Sequence, residues 1–254
     1  MKKLSFLILL LLAIPGFISV TFADSSRTIR IAADAAYPPF NYKDANGEIV
    51  GFDVDLTMAI CNAAGIKCKF LAQDWDGLIP GLLVKKYDAI SASMNATEER
   101  RKRVAFTNKI YSNPSRFLVK KSANFTFDKN GLSGKTLAAQ HASVQADFLE
   151  KEFGNVAKVA LYETQEQANL DLASGRVDAL LGEVVALSES FLKSEAGKSF
   201  EFKGKKYAFG DGVAIAMRKN DSELLKKFND GIDKIRKSGE YQKISDQHFG
   251  FDIY

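Results

Sequence analysis

Two short segments, about sixty residues apart, carry the most concentrated chemistry in this chain. The first is Asp34-Ala35-Ala36-Tyr37-Pro38-Pro39-Phe40, which follows an apolar strand-like run from Ile29 to Ala33. The second is Ser91-Ala92-Ser93-Met94-Asn95-Ala96-Thr97-Glu98-Glu99-Arg100, which follows Asp88-Ala89-Ile90. In both, an apolar strand gives way to small and polar residues, so backbone can approach a ligand closely. Between them the segments offer a carboxylate, a guanidinium and an aromatic ring. That set suits a small zwitterion better than a metal, a nucleotide or a scissile bond, because the guanidinium fork matches a carboxylate and the ring suits a cation.

The elements that must position these groups alternate between strand-like and helical runs, the pattern of an α/β protein. Phe40–Lys43 and Glu48–Phe52 read as a hairpin about the turn Asp44-Ala45-Asn46-Gly47. Asp53 to Ala63 reads as an amphipathic helix. Trp75 to Lys85 reads as a second, with Pro80 implying a kink or a late start. Thr97 caps a short helix with Glu98 and Glu99 in its first turn. The second half repeats the theme. It has a strand at Thr136–Ala139, a helix capped by Ser143, a strand at Val156–Leu161, a helix over Thr164–Ser174, and a strand at Val177–Leu181. A helix from Glu183 to Lys193, a strand at Gly212–Met217 and a long amphipathic helix from Ser222 to Ser238 complete it. Two α/β lobes with their strand ends facing one cleft fit this order.

The first 23 residues read as a secretory signal rather than as fold. Lys2-Lys3 is basic, Leu4 to Leu12 is apolar, and Thr21-Phe22-Ala23 offers small residues for cleavage. The apolar core is too short to span a bilayer, which takes about 20 residues. With no cysteine there, no lipid anchor is expected, and the address is most simply a Gram-negative periplasm. Cleavage would leave Asp24–Tyr254 and lower the net charge from +4 to +2. Near balance gives no case for nucleic acid. Cys61 and Cys68, the only cysteines, are expected to pair in an oxidising compartment. With no Cys-x-x-Cys and only His141 and His248, no metal site and no cofactor are expected. Gly134-Lys135-Thr136 fails as a phosphate loop because Lys129 stands where the first glycine is needed.

Several motifs in order extend this picture. They are Tyr37-Pro38-Pro39-Phe40, Gly51-Phe52-Asp53-Val54-Asp55-Leu56, Trp75-Asp76-Gly77-Leu78-Ile79-Pro80, Thr97-Glu98-Glu99-Arg100, Ser174-Gly175-Arg176-Val177-Asp178-Ala179 and Gly239-Glu240-Tyr241. Over the whole chain beyond residue 23 the order resembles the periplasmic amino-acid-binding proteins of ABC importers. The resemblance is strongest to the lysine/arginine/ornithine-, arginine- and histidine-binding branch, which also carries the short-range cysteine pair. It implies a two-lobed periplasmic binding protein fold (type II), each lobe a mixed sheet flanked by helices. Lobe 1 would comprise 24–113 and 208–254 and lobe 2 would be 114–207. Hinge strands near Ser112–Phe117 and Lys206–Phe209 would join them. It also implies a monomer that binds a basic L-amino acid and hands it to an inner-membrane ABC permease with its ATPase.

The resemblance further implies roles. Arg100 grips the ligand α-carboxylate, with Ala92, Ser93 and Asn95 on the same loop. Ser143 and the amides of Ser143 and Val144 close that site from lobe 2, beside Gln140. Glu183 holds the α-ammonium, Tyr37 and Trp75 sandwich the aliphatic stem, and Asp34 receives the distal cation. Three positions depart from the family pattern. Asn95 stands for serine, threonine or aspartate, Ala142-Ser143-Val144 for Gly-Thr-Thr or Gly-Ser-Thr, and Glu183 for aspartate. Arg100, Glu183 and Asp34 then balance the three charges of a basic amino acid, whereas a neutral one strands Asp34 without a partner. The alternatives are a cyclohexadienyl-dehydratase-like enzyme on the same fold, a tethered sensor domain, and a binder of a neutral or polar amino acid.

Overall fold

In the computed structural model, residues 27–254 are described; the expected signal segment, 1–23, lies outside them. The chain runs through β1 (Ile29–Ala33), β2 (Ala36–Tyr37), β3 (Asn41–Lys43), β4 (Ile49–Val50), α1 (Phe52–Ala64), β5 (Cys68–Ala72), α2 (Leu78–Leu83), β6 (Ala89–Ile90), α3 (Glu98–Arg103) and β7 (Ala105–Phe106). It crosses to β8 (Ser115–Lys120), β9 (Thr136–Gln140), α4 (Val144–Phe153), β10 (Lys158–Tyr162), α5 (Gln165–Ser174), β11 (Ala179–Glu183), α6 (Val184–Leu187) and β12 (Phe200–Tyr207). It then returns for β13 (Ala216–Met217), α7 (Ser222–Ser238) and α8 (Glu240–Phe249).

Two five-stranded sheets result, ordered β5-β1-β6-β13-β7 and β10-β9-β11-β8-β12. In each, three neighbours run parallel and the fourth strand runs antiparallel to both of its partners. That fourth strand is the one nearest the other sheet in sequence terms: β8 begins the second sheet and β13 rejoins the first. The two crossing segments run side by side, with Tyr111 opposite Val213 and Ser115 opposite Tyr207. The fold is therefore α/β with two lobes, each a mixed sheet between helices.

The packing follows from the apolar faces. Leu56 and Ile60 of α1 meet Phe228, Ile232 and Ile235 of α7 on one side of the first sheet, while Leu78 and Leu82 of α2 cover the other. Close approach of α1 and α7 requires Gly231, since a Cβ there would lie 2.5 Å from the Ile60 carbonyl. In the second sheet, Leu149 and Phe153 of α4 fill one face, and Ala168 and Leu172 of α5 the other. Cys61 at the end of α1 is bonded to Cys68 at the start of β5. Closing so short a loop stabilises by about 2–3 kcal/mol at most.

Several local expectations are corrected. A 3₁₀ turn at Trp75–Gly77 precedes α2, so Pro80 falls in the first turn, where its missing N–H leaves no gap. The expected Glu183–Lys193 helix divides into α6 and a five-residue π turn at Ser188–Leu192. Glu183 instead ends β11, with its side chain buried. The strand expected over Gly212–Met217 is regular only at Ala216–Met217. The longest strand, β12, is absent from the strands read in the sequence, because Lys203, Lys205 and Lys206 give it the polar look of an exposed edge; only the hinge implied near Lys206–Phe209 overlaps its end.

Candidate functional site

The parallel strands aim their carboxyl ends at one opening, where the order of connections reverses and α/β sheets present ligand sites. Asp34 follows β1, Ser91 to Asn95 follow β6, Gln140 ends β9 and Glu183 ends β11. All eleven residues expected at the ligand site line a single space of about 380 Å³ between the lobes. Gln145 and Gln165 line it too and escaped the sequence analysis. Gln165 opens α5 straight after β10, so the same strand-end logic could have found it.

Arg100 comes from the first helical surface after β6. Thr97 caps α3 by accepting the Arg100 amide N–H at 3.2 Å, which turns the guanidinium back toward the cleft. There it donates to the Asn95 carbonyl (3.1 Å) and, across the cleft, to the Ala142 carbonyl (3.4 Å). Its carbon sits 5.2 Å from the centre of the Trp75 ring. Burial pushes its pKa down to about 10, opposed by the carboxylates of Asp147 and Glu183, so it stays cationic at neutral pH. Among the described residues it makes no ion pair.

Glu183 is almost fully buried and accepts three hydrogen bonds. Tyr37 donates at 3.0 Å, Asn95 at 2.9 Å and Asn113 at 3.0 Å. Burial nevertheless lifts its pKa to about 7, since three neutral donors do not replace a cation. Although it stands at the start of α6, its side chain does not cap that helix. The Asn95 side chain thus faces Glu183, while its carbonyl serves Arg100. Asn113 was also missed; it lies in the crossing segment, where no local pattern marks it.

Asp34 is half-buried. The Gln140 amide donates to it at 3.4 Å and to the Glu163 carbonyl at 3.1 Å. Burial, with Asp74 and Asp76 nearby, raises its pKa to about 6. Tyr37 and Trp75 both line the space, and Trp75 donates its indole N–H across the cleft to the Ala142 carbonyl at 3.1 Å. Ser143 is buried and caps α4 by accepting the Ala146 N–H at 3.1 Å. Its own hydroxyl hydrogen and the free amides of this helix start remain for an anion. His141 is exposed and lines an adjoining hollow rather than this space.

Ala35, Ser93 and Ala142 adopt left-handed backbone with φ of 56°, 50° and 54°. Residues with a side chain seldom do so, and such strain gathers where a ligand must be met. Three of the four non-glycine residues of this kind in residues 27–254 border the cleft.

Two lobes, strand ends converging on a small cleft and charged groups without charged partners define a class of protein that encloses a small polar solute. The comparisons agree. The chain belongs to the bacterial extracellular solute-binding proteins, family 3, which it matches over residues 29–251. It is 42% identical to the L-arginine-binding protein of Pseudomonas aeruginosa over 259 residues, covering 100% of this chain and 99% of that protein. It is 39% identical to the lysine/arginine/ornithine-binding periplasmic protein of Escherichia coli, again covering 100% and 99%. Among solved structures it resembles an ancestral arginine-binding protein bound to arginine, with a TM-score of 0.81 and 35% identity over 88% of this chain and 98% of that one. These named relatives are binding proteins and not enzymes. Among the described residues no helix is long and apolar enough to cross a membrane.

Proposed function

We propose that this protein captures a basic L-amino acid in the periplasm and delivers it to an ABC permease. The single observation that carries the proposal is the charge set around one small cleft. Arg100, Glu183 and Asp34 all face it, and none has an ion-pair partner among the described residues. A ligand with one carboxylate and two cations supplies all three. Arg100 takes the carboxylate in two parallel hydrogen bonds, joined by the amides of Ser143 and Val144 and by the Ser143 hydroxyl. Glu183 takes the α-ammonium through its remaining acceptor capacity. The stem lies between Tyr37 and Trp75, and its cation meets Asp34. Ala92, Ser93, Asn95 and Gln140 shape the wall. Residues 24–113 with 208–254 act as one rigid lobe and 114–207 as the other. They close by bending the paired crossing segments, and the closed outline is what the permease recognises. The protein works as a monomer, freed into the periplasm by loss of residues 1–23 and carrying no lipid.

Calorimetric titration with the twenty amino acids, ornithine and citrulline tests this. Arginine, lysine, ornithine or histidine should bind, and neutral analogues should bind about a thousandfold more weakly. Equal or tighter binding of glutamine or citrulline would favour the neutral-ligand alternative, and turnover of a candidate acid would favour an enzyme. Trp75 is the only tryptophan, so its emission offers a second readout.

A pH dependence follows from the same groups. Asp34 and Glu183 have pKa values raised from 3.8 and 4.5 to about 6 and about 7. A bound cation favours the ionised form of each, so binding releases protons. Affinity for arginine should be level above about pH 8 and fall as pH drops through about 7 and then 6, by about tenfold per unit for each proton taken up. Citrulline binding should feel Glu183 alone and fall half as steeply. In the ligand-free protein the sign reverses: the stabilising contribution of these groups is fully present below about pH 4 and is lost as pH rises through 6 and 7. Titrations from pH 8 to 5, with thermal melts alongside, check both signs.

A further inference from the structure

Asp53 has a wiring that the proposed ligand contacts leave unused. It lies in the first turn of α1, fully buried, and among the described residues no cation lies within ion-pair distance of it. A lone buried carboxylate is tolerated only when donors surround it. Four do so. The Tyr111 hydroxyl donates to Oδ1 at 2.7 Å. Asn41 Nδ2 (2.8 Å), the Ser93 backbone N–H (2.8 Å) and the Ser93 hydroxyl (3.1 Å) all converge on Oδ2. Asn41 in turn accepts the Ala35 backbone N–H at 3.0 Å.

Ser93 and Ala35 are the two left-handed residues on this lobe's side of the cleft. Each is held in that unfavourable conformation through its own amide, one by Asp53 directly and the other by Asn41, which Asp53 anchors. Ala35 fixes the direction of the chain between Asp34 and Tyr37, and Ser93 fixes it between Ala92 and Asn95. Tyr111, the third arm, has its hydroxyl oxygen 2.7 Å from that of Ser93 and pairs with Val213 where the two crossing segments run together.

We propose that Asp53 is the positioning residue of the ligand site: it holds both ligand-bearing loops of its lobe in their strained shape and ties them to the crossing segments. The proposal rests on the binding function proposed above and adds a residue that lies outside the lining of the cleft. Preorganisation of this kind lowers the ordering cost of binding. Because it acts on the loops as a whole, it serves cationic and neutral ligands alike.

Three variants and a control test it. Asp53→Ala strands the Ser93 amide, the Asn41 amide and the Tyr111 hydroxyl. Asp53→Asn retains an oxygen for the three donors at Oδ2 and supplies an amide that donates to Tyr111, whose hydroxyl then donates to Ser93. Asn41→Ala frees the Ala35 loop alone and decides the matter should Asp53→Ala fail to fold. Ile232→Val, in the α1–α7 contact of the same lobe, is the control for stability loss. Asp53→Ala should raise the Kd of arginine and of citrulline by one common factor of at least tenfold. Asn41→Ala should do so by a smaller common factor, Asp53→Asn should stay within about threefold of wild type, and Ile232→Val should lower Tm with Kd unchanged. Hydrogen exchange in ligand-free protein should rise in segments 34–41 and 91–96 and little elsewhere in that lobe. The proposal is overturned if the Kd shifts match those of the control. It is also overturned if Asp53→Asn is as damaging as Asp53→Ala, or if exchange rises evenly through the lobe. If wild type binds neither ligand, the proposed function fails, and the exchange pattern still decides the role of Asp53.

Discussion

Arg100→Ala is expected to weaken every ligand of this protein, cationic or neutral, by about 2–5 kcal/mol, or about 30- to 5,000-fold in Kd. Every amino acid would bring a carboxylate to this guanidinium, and among the described residues no other cation lines the cleft to replace it. The loss has a second source. The same guanidinium spans the cleft to the Ala142 carbonyl and covers the Trp75 ring, so its removal also loosens the closed lobes. Arg100→Lys should restore only part, since an ammonium cannot make two parallel bonds to a carboxylate while reaching Asn95 and Ala142. Titration of arginine and citrulline into both variants is the measurement. Normal binding by Arg100→Ala would remove Arg100 from the site altogether.

The second large effect is one of selectivity. Asp34→Asn should reduce affinity for arginine by about 3 kcal/mol while changing citrulline little, narrowing the ratio between them by about a hundredfold. The substitution is close to isosteric. Gln140 can still donate to the amide oxygen, so the wall that it forms with Asp34 keeps its shape. What is lost is the charge opposite the distal cation, and Asp74 and Asp76 remain near enough to soften the loss. An unchanged arginine-to-citrulline ratio would leave Asp34 as a strand-end residue and withdraw the basic-ligand proposal, with amino-acid binding itself still resting on Arg100, Ser143 and Glu183.

What the sequence made legible was mostly local. Ser222–Ser238 shows a helical stripe and is a helix over that span. Ser143 and Thr97 look like caps and act as caps. The strand-end groups could be collected around one cleft because each follows a short apolar run into small residues. What stayed hidden depends on which tertiary neighbour a residue meets. Asp53 and Asp55 read alike as acids in a helix's first turn. One is the buried centre of a polar network, while the other is exposed and pairs with His248 at 2.7 Å. Periodicity assigns a face, not a partner. Glu183 shows the same limit: an acidic residue before an apolar run resembles a helix start, and only the register of β11 against β8, with Glu183 opposite Ser115, makes it the buried end of a strand.

The position of β13 has a consequence for how the chain becomes a protein during synthesis. It sits between β6 and β7, yet it is the last strand made, and α7, which covers α1, follows it. Until about residue 235 has left the ribosome, the first sheet is split and the apolar side of α1 is bare. The second sheet needs nothing beyond β12. The half of the molecule translated first is therefore obliged to finish last, across a gap of more than a hundred residues whose closure is entropically slow. Such a delay would suit any chain that has to cross a membrane before it folds, because the lobe made first stays loose until the last strand and helix have been made.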